Sequence, residues 1–211
     1  MGRAEKLTVF LDKLVLWLAK HWLLLVNLVI AVYAGLPFLA PTLMALGYTW
    51  PARVIYTIYK PLCHQLPQRS FFLFGPRLAY SLETLQELLG TEGLANDDLA
   101  RAFIGNSTLG YKVAYCQRDT AMYGSMLLAG TAFGLVRRHL KPLPFTLYLI
   151  LLAPLAADGL AQLLGFYEST WQLRTITGSL FGLGTVWFAY PYLEAAMGEL
   201  RRTIGEKLGL G

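Results

Sequence analysis

Four long apolar stretches limit what this chain can become: Trp22 to Tyr48, Ala121 to Val136, Leu143 to Leu164 and Ile176 to Leu193. A bilayer core about 30 Å thick takes roughly 20 apolar residues per helix, and in lipid the backbone must satisfy its own polar groups, which a helix does. Composition agrees, since 55% of the 211 residues are hydrophobic and only 15% charged, well below the charge of an ordinary soluble domain. The expectation is one all-α domain over residues 1–211, a polytopic membrane helix bundle with about four transmembrane helices. The second stretch is short and needs an extra turn at one end. Trp22, Tyr48, Trp50, Tyr123, Trp171, Trp187 and Tyr190 lie near the ends of these stretches, where amphipathic rings anchor at headgroup level. The first stretch is too long and begins too late for a cleaved signal peptide, so it reads as retained.

Before it, Leu7, Phe10, Leu11, Leu14 and Leu18 recur at helical spacing among Lys6, Asp12, Lys13 and Lys20, the pattern of an N-terminal interfacial helix. Arg3, Lys6, Lys13 and Lys20, the short loop with Arg137, Arg138 and Lys141, and the tail with Arg201, Arg202 and Lys207 fall on one side of such a topology. Short basic segments stay in the cytoplasm. Both termini are therefore expected to be cytoplasmic in a multi-pass protein of the cell membrane, with residues 49–120 extracytoplasmic. The net charge of +5 follows from this topology, so membrane lipids and not nucleic acid are the expected partners.

The outer segment is too long for a plain connector. Leu82, Leu85, Leu88 and Leu89, then Leu94 to Phe103 after a break at Gly90 to Gly93, predict a helical extracytoplasmic insertion of two short helices, with Asn96 as a cap. Asn106, Ser107 and Thr108 read as a polar turn. On either side lie the chain's two cysteines, in Pro61 to Gly75 and Gly110 to Gly124. Cys63 and His64 are adjacent, and Cys116 and Asp119 share a face if a helix starts near Tyr115. Thiolate, imidazole and carboxylate are the ligands zinc prefers, and three protein ligands with an open position mark catalytic zinc. Cys63, His64 and Cys116 are thus candidate zinc ligands. A structural disulfide is the alternative, because the outer face of a membrane is oxidising, and two unrelated free thiols are a third.

Asp158 lies inside the third apolar stretch, where an ionisable group costs about 2.5–3.5 kcal/mol at the bilayer centre and needs a partner. Gln162 follows one turn later on the same face, and the short loop beyond supplies Glu168 and Arg174, the latter the expected counter-ion. By topology alone Cys63, His64, Arg69, Cys116, Arg118, Asp119, Asp158, Gln162, Glu168 and Arg174 share one depth, near the outer surface. Gly178, Gly182 and Gly184 in the fourth stretch permit close helix contact, as do Gly124, Gly130 and Gly134 in the second.

The strings CHQLPQRSFF (63–72), YCQRDTAMYG (115–124) and DGLAQLLGFYESTWQLRTITGSLFGLG (158–184) resemble the signature blocks of the DUF2085 family of predicted membrane proteins. The resemblance runs from Pro61 to Gly184 and implies a helical membrane protein with a cysteine–histidine site at Cys63, His64 and Cys116. It implies no established reaction. Three functions fit the residues. In the first, zinc activates water or a lipid hydroxyl, with Asp119, Asp158 and Glu168 as catalytic carboxylates and Arg69, Arg118, Gln162 and Arg174 binding an anionic, lipid-linked substrate, as a hydrolase or transferase would. In the second, the cluster is a disulfide or metal staple in a non-enzymatic membrane component. In the third, Cys63 and Cys116 exchange thiol for disulfide, although neither sits in a Cys-x-x-Cys pair. Nucleotide-loop, His-Glu-x-x-His and Gly-x-Ser-x-Gly patterns are absent from the sequence.

Overall fold

The computed structural model of the chain describes residues 2–90, 94 and 96–209. The expected interfacial helix and first span are one continuous helix, α1 (Arg3–Ala45). At 1.5 Å per residue it extends about 64 Å, roughly twice the hydrocarbon thickness. Pro37 and Pro41 sit inside it, buried, without ending it. It stops where Gly47, at φ 84°, supplies the left-handed turn: Gly47 N–H donates to Met44 O at 3.1 Å and Tyr48 N–H to Leu43 O at 2.9 Å, the paired bonds that close a helix C-terminus. The chain then folds back as α2 (Thr49–Tyr59) against α1.

A single 3-10 turn (Pro67–Arg69) leads into β1 (Ser70–Leu73). Two short helices follow, α3 (Leu82–Leu89) and α4 (Asp97–Ala102), capped by Ser81 and by Asn96, whose side chains accept from Thr84 N and Leu99 N. Both helices and the Asn96 cap were expected; the break between Gly90 and Gly93 falls largely on residues 91–93, outside the described residues. Asn106 Oδ1 accepts from the amides of Thr108 and Leu109, which makes the expected polar turn.

Next come β2 (Gly105–Asn106) and β3 (Gly110–Cys116). The strands form an antiparallel sheet in the order β1-β3-β2, with Ser70 opposite Cys116 and Phe72 opposite Lys112 across a bulge. The all-α expectation is corrected by this sheet. Tyr111, Val113 and Tyr115 alternate as strand residues do, but Lys112 and Ala114 between them are also buried, so the run shows no simple polar and apolar faces. Ala40 of α1, Ile55, Tyr56 and Tyr59 of α2, and Val113 to Tyr115 of β3 enclose one core with Cys63.

The remaining helices are α5 (Gln117–Val136), α6 (Phe145–Leu163) and α7 (Trp171–Lys207). Helices α1, α5 and α7 pack on one another, and α6 packs on α7. Of the four expected spans, two helices, α1 and α6, are long and apolar enough to cross a membrane. Helix α5 is diluted by Arg118, Asp119, Ser125 and several glycines, and α7 begins five residues before the expected span and runs on into a charged tail. At that end Glu194 accepts from Trp22 Nε1 at 2.9 Å and pairs with Arg201 at 2.8 Å, while Lys207 pairs with Asp12 at 2.6 Å.

Candidate functional site

The junction of β3 with α5 builds the cysteine cluster. Cys116 ends the strand and is the N-cap of α5, its sulfur accepting from Asp119 N–H at 3.3 Å. The helix turn brings the Asp119 carboxylate back over Cys116. On the other side the loop after α2 lays Cys63 against the same point, where its sulfur accepts from Cys116 N–H at 3.1 Å. Ligand atoms of Cys63, Cys116 and Asp119 all lie within 4.8 Å of one another, and both cysteines are free thiols. Bonding to the Cys116 side chain, burial, and the charges of Cys116 and Asp119 push the Cys63 thiol up. The two thiols sit beside the carboxylate without repulsion while they keep their protons; ionised together, the three groups would repel one another unless a cation lay among them. A zinc ion at 2.3 Å from each sulfur needs the sulfurs about 3.8 Å apart, a spacing compatible with ligand atoms that all lie within 4.8 Å of one another. His64 does not join it. Its side chain is exposed while Cys63 beside it is buried, because neighbouring side chains of this non-helical loop diverge.

A second cluster lies one turn along. Glu168, in the short loop between α6 and α7, receives both arms of Arg69, Nε to Oε1 and Nη2 to Oε2, each at 2.9 Å. Its Oε1 also accepts from Arg174 Nη2 at 2.6 Å and Gln162 Nε2 at 3.1 Å. Partial burial raises the Glu168 carboxyl, but the bonds and charges of Arg69 and then Arg174 outweigh it and hold the group below its ordinary value. The counter-ion of Asp158 is therefore not Arg174 but Arg118, with Tyr167 Oη donating to the other carboxylate oxygen at 2.5 Å. Arg118 starts on the first turn of α5 and passes close to Gly159, one residue from Asp158, whereas Arg174 is drawn away by Glu168 and by Gln117 Oε1 at 3.0 Å.

Both clusters face one cavity of about 480 Å³. Its wall includes Cys63, Cys116 and Asp119 from the first cluster, with His64 beside them, and Arg69, Arg118, Gln162 and Arg174 from the second. The remaining two sequence candidates, Asp158 and Glu168, hold those arginines from behind. Eight of the ten residues grouped by topology therefore line one cavity, and the other two pair with its arginines.

Residues 100–188 match the family described as predicted membrane protein (DUF2085). The family resemblance read from the sequence holds. An uncharacterized protein of Methanocaldococcus jannaschii is 29% identical over 180 residues, covering 82% of this chain and 92% of its own. No solved structure matches. The segment that matches the family contains Cys116, Arg118, Asp119, Asp158, Gln162, Glu168 and Arg174, while Cys63, His64 and Arg69 precede it.

Three supporting residues escaped the sequence reading. Gln65, in the left-handed region at φ 50°, donates from Nε2 to Tyr56 O and Ala114 O and so fixes the Cys63 loop to β3. Gln117 donates to Ser70 O at 3.1 Å and orients Arg174. Lys112 is fully buried in the middle of β3, donating to Gln65 O at 2.6 Å and Arg101 O at 2.9 Å. Burial lowers its ammonium to about 7, partly opposed by the nearby Cys63. Nothing in the sequence distinguishes Lys112 from a solvent-facing strand lysine, or Gln65 and Gln117 from surface glutamines.

Proposed function

We propose that the protein is a multi-pass membrane protein of about four spans, with both termini cytoplasmic, whose outer cavity holds a zinc ion and acts as a hydrolase or transferase on lipid-linked anionic substrates. The observation that carries this reading is the shared cavity, in which three metal-type donors and three arginines face one space. Cys63, Cys116 and Asp119 would hold the metal, at the wall of the cavity they line. Backbone amides donate to both sulfurs and would go on donating to the thiolates that a bound metal requires, while the cation would offset the neighbours that push the Cys63 thiol up. The ion supplies a Lewis acid and an activated water or lipid hydroxyl. Arg118, with Arg69 and Arg174, holds the anionic headgroup. His64, exposed on the same wall, is the free proton acceptor, since Asp158 and Glu168 are committed to arginines.

The test is metal analysis of protein purified without added metal, together with thiol counting under denaturing, non-reducing conditions. Stoichiometric zinc with two reactive thiols is the expected result. Cys63→Ser, Cys116→Ser and Asp119→Asn each lose the metal, whereas His64→Ala keeps it. Two blocked thiols and no metal would overturn the reading. That outcome favours a non-enzymatic component stapled by a Cys63–Cys116 disulfide, for which the proximity of the two sulfurs is the supporting observation.

A further inference from the structure

Glu168 receives four hydrogen bonds, from Arg69 twice, from Arg174 and from Gln162, on two carboxylate oxygens. Two guanidinium groups and an amide converging on one small anion form a constellation that suits a phosphoryl oxyanion as well as a carboxylate. The carboxylate that fills it is half exposed, at 50% of its side-chain surface, and comes from a short loop, whereas Arg174 is 4% exposed. A buried guanidinium needs an anion beside it at all times, but nothing in its geometry requires that anion to be Glu168. Gln117 and the Gln68 carbonyl hold Arg174 in place from the other side, so this buried donor stays arranged if the carboxylate leaves. Arg118 offers no competing place for Glu168, since it is occupied by Asp158.

The position of this cluster matters as much as its chemistry. Arg174 lines both the cysteine cavity and a second cavity of about 570 Å³ beneath α3, and Glu168 lines the second. The carboxylate and its arginines are therefore the partition between the two spaces.

We infer that Arg69, Arg174 and Gln162 form a phosphate-binding subsite whose resident occupant is the chain's own Glu168 carboxylate, displaced when a phosphoryl headgroup enters from the cavity beneath α3. The inference deepens the proposed anionic substrate by naming its class and rests on that part of the reading, not on the metal. No covalent step is involved, because one anion exchanges for another on the same donors.

The experiment uses the full chain in detergent, freed of metal by chelation, titrated calorimetrically with inorganic phosphate and separately with short-chain phosphatidic acid. Glu168→Gln keeps the side chain's shape and removes its charge, so phosphate no longer competes with an internal anion. Phosphate is expected to bind this variant at least about tenfold more tightly than wild type, about 1.4 kcal/mol, and to raise its melting temperature more. Adding Arg69→Gln to the variant should cancel the gain. If Glu168→Gln cannot be purified folded, Glu168→Ala, which removes the competing carboxylate altogether, carries the same comparison. A gain for inorganic phosphate alone assigns the subsite to a soluble phosphoryl compound, and a larger gain for phosphatidic acid assigns it to a lipid headgroup. Equal phosphate affinity in wild type and variant, or a gain that survives Arg69→Gln, would overturn the inference. Because the titration is metal-free, a failed zinc analysis leaves its outcome untouched.

Discussion

Lys112 brings an ammonium group into the interior beside the sheet, and its environment gives the fold a pH dependence of known sign. In the unfolded chain its ammonium holds a proton to about 10.5, but in the folded chain burial brings it to about 7. Between those values the unfolded chain binds more protons, so stability rises with pH across that window and the penalty is full below it. The slope is at most about 1.4 kcal/mol per pH unit. Lys112→Met keeps the apolar stem and removes the titration, so its stability should rise less steeply than wild type between pH 7 and 10, whatever the absolute cost of leaving the Gln65 and Arg101 carbonyls unpaired. Denaturant titration of both proteins across that range is the check, and parallel curves would refute it. At this scale the sequence was most legible where chemistry and position coincided. Cys63, Cys116, Arg69 and Arg118 stood out because such residues at one membrane depth have no common structural cause. The third ligand-type neighbour, Asp119, was legible once Cys116 was placed at a helix start. His64 misled because adjacency in sequence is not adjacency of side chains outside a helix. Lys112 was hidden because a lysine ordinarily reads as solvent-facing.

Among the elements, the contact between α5 and α7 sets the spacing on which both clusters depend, since Arg118 and Asp119 lie on one helix and Arg174 on the other. A Cβ added at Gly182 would meet Ser125 Oγ at 2.0 Å and Met122 O at 2.4 Å, and one added at Gly178 would meet Arg118 O at 2.8 Å. These are backbone and near-backbone atoms, so the helices would have to separate. The expectation from small residues in the fourth stretch is thus met at both positions. Gly124 differs, as a Cβ there meets nothing within 4 Å. Gly182→Ala should cost about 1–3 kcal/mol as overpacking does and should weaken metal retention by moving α5, while Gly124→Ala should leave both near wild type. Melting temperature and bound metal measured on the two variants separate these outcomes, and equal behaviour would count against a glycine-set seam. The helices could be read in advance because apolar runs and caps are local signals, as at Asn96. The sheet could not, because β1 and β3 are short and owe their pairing to a register between segments some 40 residues apart. The same long-range placement decided the partner of Asp158, which proximity in sequence assigned to Arg174 and the packing of both α5 and α6 on α7 gives to Arg118.

Taken whole, the molecule has two unlike ends. One carries the sheet, α3 and α4, both cavities and every candidate site residue. The other carries Arg137, Arg138 and Lys141 with the Glu194–Arg201 and Asp12–Lys207 pairs. Helix α1 is too long to lie wholly in a hydrocarbon layer, and its apolar outer surface is largely exposed, with Leu24, Leu28, Val29 and Val32 all more than half accessible. An exposed apolar belt of this kind matches lipid. If the belt spans the bilayer, the α5–α6 loop and the α3 surface lie on opposite sides, and the distribution of lysine and arginine puts the loop inside. Glu83→Cys on α3 and Arg138→Cys in the loop, each in a chain whose native Cys63 and Cys116 are replaced by serine, test this with a membrane-impermeant maleimide applied to intact cells. Labelling at position 83 and protection at 138 until the cells are permeabilised is the expected result. The reverse pattern would turn the site toward the cytoplasm, and a lipid-linked substrate would then have to be presented from the inner leaflet. Equal labelling of both positions in intact cells would show that α5 does not cross the membrane, which would remove the four-span arrangement and leave α1 and α6 as the spanning pair.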